Sequence, residues 1–225
     1  MKTTLKSQIR HGFTLIELLV VISIIGVLAA ITIPALSKVK QVQYRKAALA
    51  ELKQLEAAIE NFKAKYGAYP PSNRNISGAG YDPLNYPPLY YELSGVTRDA
   101  SGNYTTLDGA STISAADYSA AYGVAGIINC TKGSAEDKVD AVNFLTGLKI
   151  KTNDAVTNNL KRTTVILTSV GGPDDNYTPQ PLNASGLNPF RYNSTNPTNS
   201  PNSFDLWVDL VIGGKTYRIN NWSTR

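Results

Sequence analysis

The chain has 225 residues, 42% hydrophobic and 17% charged, with a formal net charge of +5, one Cys and one His. That length allows one or two ordinary domains with an adequate core, and the apolar content excludes a wholly disordered chain. A single thiol can build neither a disulfide framework nor a Cys-rich zinc site. Charge and hydropathy are both uneven: Lys2, Lys6 and Arg10 put +3 on the first twelve residues, and 18 of the 24 residues from 13 to 36 are Ala, Val, Ile, Leu or Phe.

A basic head before an apolar run is the outline of an export signal, but a secretory signal has an apolar stretch of only about 7–15 residues with its cleavage site on the far side. A helix over residues 13–36 reaches roughly 36 Å, enough to cross a hydrocarbon core of about 30 Å. The run therefore predicts a retained transmembrane helix, with the cations holding its N-terminus in the cytoplasm and the rest of the chain outside. The competing reading is cleavage after Ala35-Leu36-Ser37 to release a soluble domain. Pro34 and the sustained apolar length fit it poorly.

Glu17 stands out within this run. An ionised carboxylate in a lipid-facing helix costs about 2.5–3.5 kcal/mol, so it either reaches water at the cytoplasmic surface or has a partner. The segment Arg10-His11-Gly12-Phe13-Thr14-Leu15-Ile16-Glu17-Leu18-Leu19-Val20-Val21 resembles the type IV prepilin leader and cleavage site. The resemblance implies that a prepilin peptidase cuts between Gly12 and Phe13, that Phe13 is then N-methylated, and that Glu17 meets the Phe13 amine of a neighbouring subunit in a filament. Phe13 and Glu17 are four residues apart and share a helix face. Gly26 and Pro34 weaken the helix, by about 1 and 3 kcal/mol. Taken alone they predict a kink; the resemblance implies that this stretch melts on filament assembly.

After Pro34 the sequence turns polar and keeps a helical period. Leu52, Leu55, Ile59, Phe62 and Tyr66 form one stripe of an amphipathic helix over 37–66, facing either its own head or an intersubunit seam. Gly67 and Pro70-Pro71 end it. Residues 67–162 predict loops and short helices. Nine tyrosines lie between Tyr66 and Tyr122, either packed locally or forming a contact surface. Ser134-Ala135-Glu136-Asp137 predicts a helix start, leading into Val139, Val142, Leu145 and Leu148. Strands are expected only over 163–225: residues 163–170, the segment near 187–192, and Phe204 to Ile212 with strict alternation. The last returns through a Gly213-Gly214 hairpin. The expected fold is α+β and pilin-like, a long helix, half transmembrane and half amphipathic, on a small C-terminal antiparallel sheet. Its segments are a leader (1–12), a membrane or filament-core helix (13–36), the head helix (37–66), a variable region (67–162) and the sheet (163–225).

Tyr66-Gly67-Ala68-Tyr69-Pro70, Asn188-Pro189-Phe190-Arg191-Tyr192, Phe204-Asp205-Leu206-Trp207 and Ile219-Asn220-Asn221-Trp222 resemble the major pseudopilin of type II secretion, the general secretion pathway protein G family. The resemblance implies a structural subunit of a homo-oligomeric periplasmic filament, anchored in the bacterial inner membrane. Its implied partners are minor pseudopilins, the prepilin peptidase, and an inner-membrane assembly platform with its ATPase. The alternative is a pilin or minor pilin of a surface filament used for adhesion, motility or DNA uptake. The family holds calcium in an acidic loop before the final Ile-x-Asn-Trp. Here Gly213-Gly214-Lys215-Thr216-Tyr217-Arg218 has lost those acids, leaving Asp205 and Asp209 as candidate ligands and a plain hairpin as the alternative. No other cofactor is expected.

Cleavage after Gly12 would remove His11, the one His of the chain, and with it any Ser-His-Asp triad or His-bearing zinc site. No Walker P-loop is present, so an enzyme is not expected. The mature chain would carry 19 Lys+Arg against 17 Asp+Glu with no basic run, which argues against nucleic-acid binding.

Overall fold

A computed structural model describes residues 13–74, 86–133, 138–148, 151–157, 161–170 and 187–223. Gly12, residues 134–137 with their helix-start sequence, and Tyr81 lie outside these. The chain divides into two compact units, Met1–Val42 and Gln43–Arg225, with helix α1 (Leu15–Tyr66) beginning in the first and ending in the second. α1 is continuous through Gly26 and Pro34.

In the first unit, the window Leu15–Thr32 has a mean hydropathy of 2.7 and none of it is buried. Leu, Ile and Val side chains are exposed all round it. A helix apolar on every face is stabilised by burial in lipid or among other helices, and this stretch is long enough to cross a membrane.

In the second unit the amphipathic part of α1 buries Ala48, Leu52, Leu55, Ala58, Ile59 and Phe62, each at 2% exposure or less. The predicted stripe therefore faces its own core and not an intersubunit seam. Tyr66, at its end, is half-buried with its ring 4.7 Å from Phe62. The Gly67 N–H then donates to the Lys63 carbonyl and closes the helix.

The C-terminal sheet has antiparallel order β6 (Arg191–Asn193), β7 (Asp205–Ile212), β8 (Lys215–Asn220). Phe204, Leu206, Val208, Leu210 and Ile212 all turn inward, as their alternation predicts, and join the α1 stripe in one core with Phe190 and Tyr192. Gly213 and Gly214 have φ of 58° and 74°, the left-handed pair that a two-residue turn between twisted strands requires.

The middle of the chain differs from the sequence expectation in two ways. Strands are not confined to the end. After the short α2 (Leu89–Ser94), β1 (Val96–Arg98), β2 (Asn103–Thr106) and β3 (Thr112–Ser114) form a three-stranded antiparallel sheet. Three or four residues are too few for a period of two to stand out. Helix α3 (Ala115–Tyr122) follows, capped by the Ser114 side chain on the Asp117 N–H. β4 (Lys151–Thr157) and β5 (Lys161–Leu167) make a separate two-stranded ladder, which starts before the expected 163.

The second difference is the predicted helix carrying Val139 to Leu148. Val139 pairs with Lys132 in an isolated bridge, and residues 144–147 form a turn. The backbone bonds a helix would need are diverted. The Val142 N–H and C=O both bond the Asn129 side chain (2.9 and 2.7 Å), and the Phe144 N–H donates to the Leu93 carbonyl at 2.8 Å. Packing of Phe144 against Phe62 and Tyr66 rewards this extended path.

Gly95, between α2 and β1, has φ of 68°, and a Cβ there would lie 2.9 Å from the Val142 carbonyl oxygen and 3.1 Å from the Asn129 amide nitrogen. Both neighbours are held in the hydrogen-bond cluster just described. We therefore expect Gly95→Ala to destabilise the head by about 2 kcal/mol through strain and crowding, measurable by urea denaturation.

Candidate functional site

Two regions carry the residues singled out in the sequence, one in each unit. In the first unit Phe13 is exposed, and Thr14 is the residue from which α1 starts. The Thr14 hydroxyl accepts the Glu17 N–H at 3.3 Å, while one Glu17 carboxylate oxygen, Oε2, accepts the Thr14 N–H at 2.8 Å and its hydroxyl at 2.7 Å. This is a reciprocal capping box, which satisfies helix-end donors that otherwise lack partners. Its sequence signature is Thr14-x-x-Glu17. Further along, the Ser23 and Thr32 hydroxyls donate to the carbonyls of Leu19 and Leu28, both at 2.7 Å. Their polarity is absorbed inside the helix, leaving Glu17 as the ionisable side chain of the apolar window.

In the second unit the structure separates the two candidate calcium ligands. Asp205 is buried, and its Oδ2 accepts from the N–H groups of Thr198 and Asn199 (2.9 and 3.0 Å) and from the Asn199 amide at 3.1 Å, with the Thr198 hydroxyl at 3.4 Å. It thus pins the 198–199 turn to the start of β7. Asp209, four residues further along the same face of β7, lies between Arg218 and Arg191. Arg218 donates from Nε to Oδ1 at 2.7 Å and from Nη2 to Oδ2 at 2.9 Å; Arg191 Nη1 donates to Oδ2 at 3.2 Å. The two arginines did not emerge from the sequence as site residues. A signal was present: once the two-glycine turn sets the register, residue 218 falls opposite residue 209.

Most of the described tyrosines of the middle region are interior. Tyr86, Tyr90, Tyr91, Tyr104, Tyr118 and Tyr122 are all buried, and Tyr91, Tyr118 and Tyr122 meet edge to face. Among them sits Glu92, fully buried in α2. Its carboxylate accepts the N–H groups of Ile128 (3.1 Å) and Asn129 (3.2 Å) and the Tyr118 hydroxyl (3.2 Å). Burial pushes its pKa up to about 7, against the opposing pull of those donors and of Lys132. Asn129 extends the cluster, accepting the Tyr66 hydroxyl at 2.6 Å and donating to the Glu92 carbonyl.

The description "Prokaryotic N-terminal methylation motif" matches residues 8–33. Among curated proteins the chain is similar to type II secretion system core protein G of Pectobacterium carotovorum subsp. carotovorum, 33% identical over 90 residues that span 40% of this chain and 58% of that relative. The Klebsiella michiganensis protein of the same name is 31% identical over 42% of this chain and 67% of its own length. The Escherichia coli (strain K12) protein is 36% identical over 36% and 54%. The matches thus span between about half and two thirds of these relatives. No solved structure gives a significant match.

Proposed function

We propose, since the chain belongs to the type II secretion system core protein G family, that it is a pseudopilin: a structural subunit of a periplasmic filament, made as a membrane-anchored precursor. The observation that carries this reading is the methylation motif over residues 8–33, ending in an apolar helix whose one ionisable side chain, Glu17, follows Phe13 by four residues.

In this reading the prepilin peptidase cuts between Gly12 and Phe13, before the apolar run, so the helix stays in the inner membrane with the head in the periplasm. The new Phe13 amine is methylated and keeps its charge. On assembly the Glu17 carboxylate takes the Phe13 amine of a neighbouring subunit, so that neither charge is left bare among apolar helices. The apolar windows of successive subunits then bury one another. The region from Gly26 to Pro34, where backbone bonding is weakest, lengthens as subunits pack. The role is mechanical and not catalytic, carried out with minor pseudopilins, an inner-membrane platform and its ATPase. The surface-filament alternative drew on the tyrosine-rich middle as a contact face, and burial of six of those tyrosines favours the secretion role.

The test is the mass of the mature N-terminus. A chain beginning at N-methylated Phe13 is expected. A chain retaining Met1, or one beginning after Ser37, would overturn the scheme.

A further inference from the structure

The family resemblance implies a calcium ion beside the last two strands, and the residues of this chain do not fit one. A hard divalent cation takes about 6–8 oxygen ligands, usually several of them carboxylates. β7 and β8 leave no loop to supply them: their pairing is unbroken from Ile212↔Lys215 to Trp207↔Asn220. Both carboxylate oxygens of Asp209 already receive guanidinium hydrogens, and its main-chain carbonyl accepts the Asn188 amide at 2.7 Å. Asp205 offers one oxygen, Oδ1, without a hydrogen-bond partner, while a cation approaching Oδ2 would meet N–H hydrogens. Among the described residues no three Asp, Glu, His or Cys side chains converge to hold a metal.

We propose that Arg191 and Arg218, gripping Asp209 from both sides, replace the cation, so that the C-terminal sheet holds its register independently of divalent metal. The geometry suits this role. Arg218 stands directly opposite Asp209 on β8, and its two-pronged contact is the guanidinium–carboxylate fork, stronger and more directional than a single ion pair. Arg191, opposite Trp207 on β6, reaches Asp209 diagonally. One carboxylate thereby ties three strands. It is 17% exposed and its Arg191 partner 11%, so water screens this bridge less than an ordinary surface pair. The Arg218 guanidinium lies 6.0 Å from the Trp207 ring, and Trp222 packs edge-on to Trp207 at 5.9 Å. Two guanidinium groups against one carboxylate leave the cluster net positive, which disfavours a further cation. The inference rests on the family reading only for the cation that is replaced. Exoprotein secretion after gene deletion tests that reading; thermal melting tests this one.

The experiment uses the full chain in detergent micelles. Trp207 and Trp222 are its only tryptophans, and both belong to this region, so fluorescence melting follows the head. The melting temperature is expected to agree within about 1 °C in millimolar calcium chloride and in EDTA. Arg218→Gln should lower it by about 3–6 °C in either medium, with no rescue by calcium, on the scale of about 2–4 °C per kcal/mol for a head of this size. Arg218→Lys, which keeps the charge and loses the fork, should recover part of that. Three results would overturn the proposal: a wild-type melting temperature more than about 3 °C higher with calcium than with EDTA, an unchanged melt for Arg218→Gln, or calcium rescue of either variant. If Arg218→Gln does not fold, Arg218→Lys and the wild-type comparison decide.

Discussion

Glu17→Ala should insert into the membrane as well as the wild type and fail to assemble. Insertion should not suffer, because the substitution removes an ionisable group from an apolar helix, where it is unfavourable by about 2.5–3.5 kcal/mol. Assembly should suffer because, on the proposed pairing, the Phe13 amine of the next subunit would then be buried without its counter-charge. Breaking one half of a buried pair costs about 3–5 kcal/mol, a hundredfold or more in the equilibrium for adding each subunit. Membrane fractionation measures the first effect, and the yield of pelletable filament the second. Glu17→Gln sharpens the test. Glutamine can still close the capping box with Thr14, so it preserves the helix start while abolishing the charge. If Glu17→Gln forms filaments at wild-type yield, charge pairing is not what Glu17 contributes.

The second large effect is a pH dependence located in the head. Glu92 has a folded pKa of about 7 against an ordinary 4.5, with burial as the main cause. Between those values the folded chain holds a proton that the unfolded chain has released. Stability attributable to Glu92 therefore falls as pH rises from about 4.5 to about 7 and levels off above that, by about 3 kcal/mol in total. Asp99 acts in the opposite sense and in a different window. Hydrogen bonds from the Asn103 backbone and side chain hold its pKa below the usual carboxylate value, so its contribution is lost only on further acidification. Urea denaturation at intervals from pH 5 to 8 should show a head more stable at the acid end, and Glu92→Gln should flatten that slope. A wild-type profile that is flat or rises with pH would show that the Ile128, Asn129 and Tyr118 donors outweigh desolvation at this site.

The sequence was most informative where a pattern was long or a turn was chemically forced. The α1 stripe repeats over five positions, and the β7 alternation runs into a Gly213-Gly214 pair, so helix, strand and hairpin could all be anticipated. Legibility fell where tertiary contacts decide. Nothing local in Val139 to Leu148 reveals that Asn129 will take both backbone groups of Val142, and helical spacing of four apolar residues pointed the wrong way. β1 to β3 are each shorter than the window in which a period can be recognised. Nothing local marks Glu92 as interior, because its burial depends on α3 and the 127–129 segment folding over it. Of the N-terminal residues, Glu17 was conspicuous by charge alone. Asp209 is conspicuous by charge too, but what that charge does depends on arginines 9 residues later and 18 earlier, which only the sheet brings together.

The buried asparagines bear on where this chain can be made. Asn129 is fully enclosed, with its side chain bonded to Tyr66, Glu92 and Val142. Asn221 is equally enclosed, its amide bonded to the Phe204 carbonyl and its oxygen to the Leu206 N–H. Each begins an Asn-x-Ser/Thr triplet, Asn129-Cys130-Thr131 and Asn221-Trp222-Ser223. A eukaryotic secretory pathway attaches glycans to such triplets, and a sugar on either nitrogen would occupy space that the folded head fills with protein. The interior of this head is therefore compatible with production only in a compartment that leaves those triplets unmodified, and a recombinant source should be chosen accordingly.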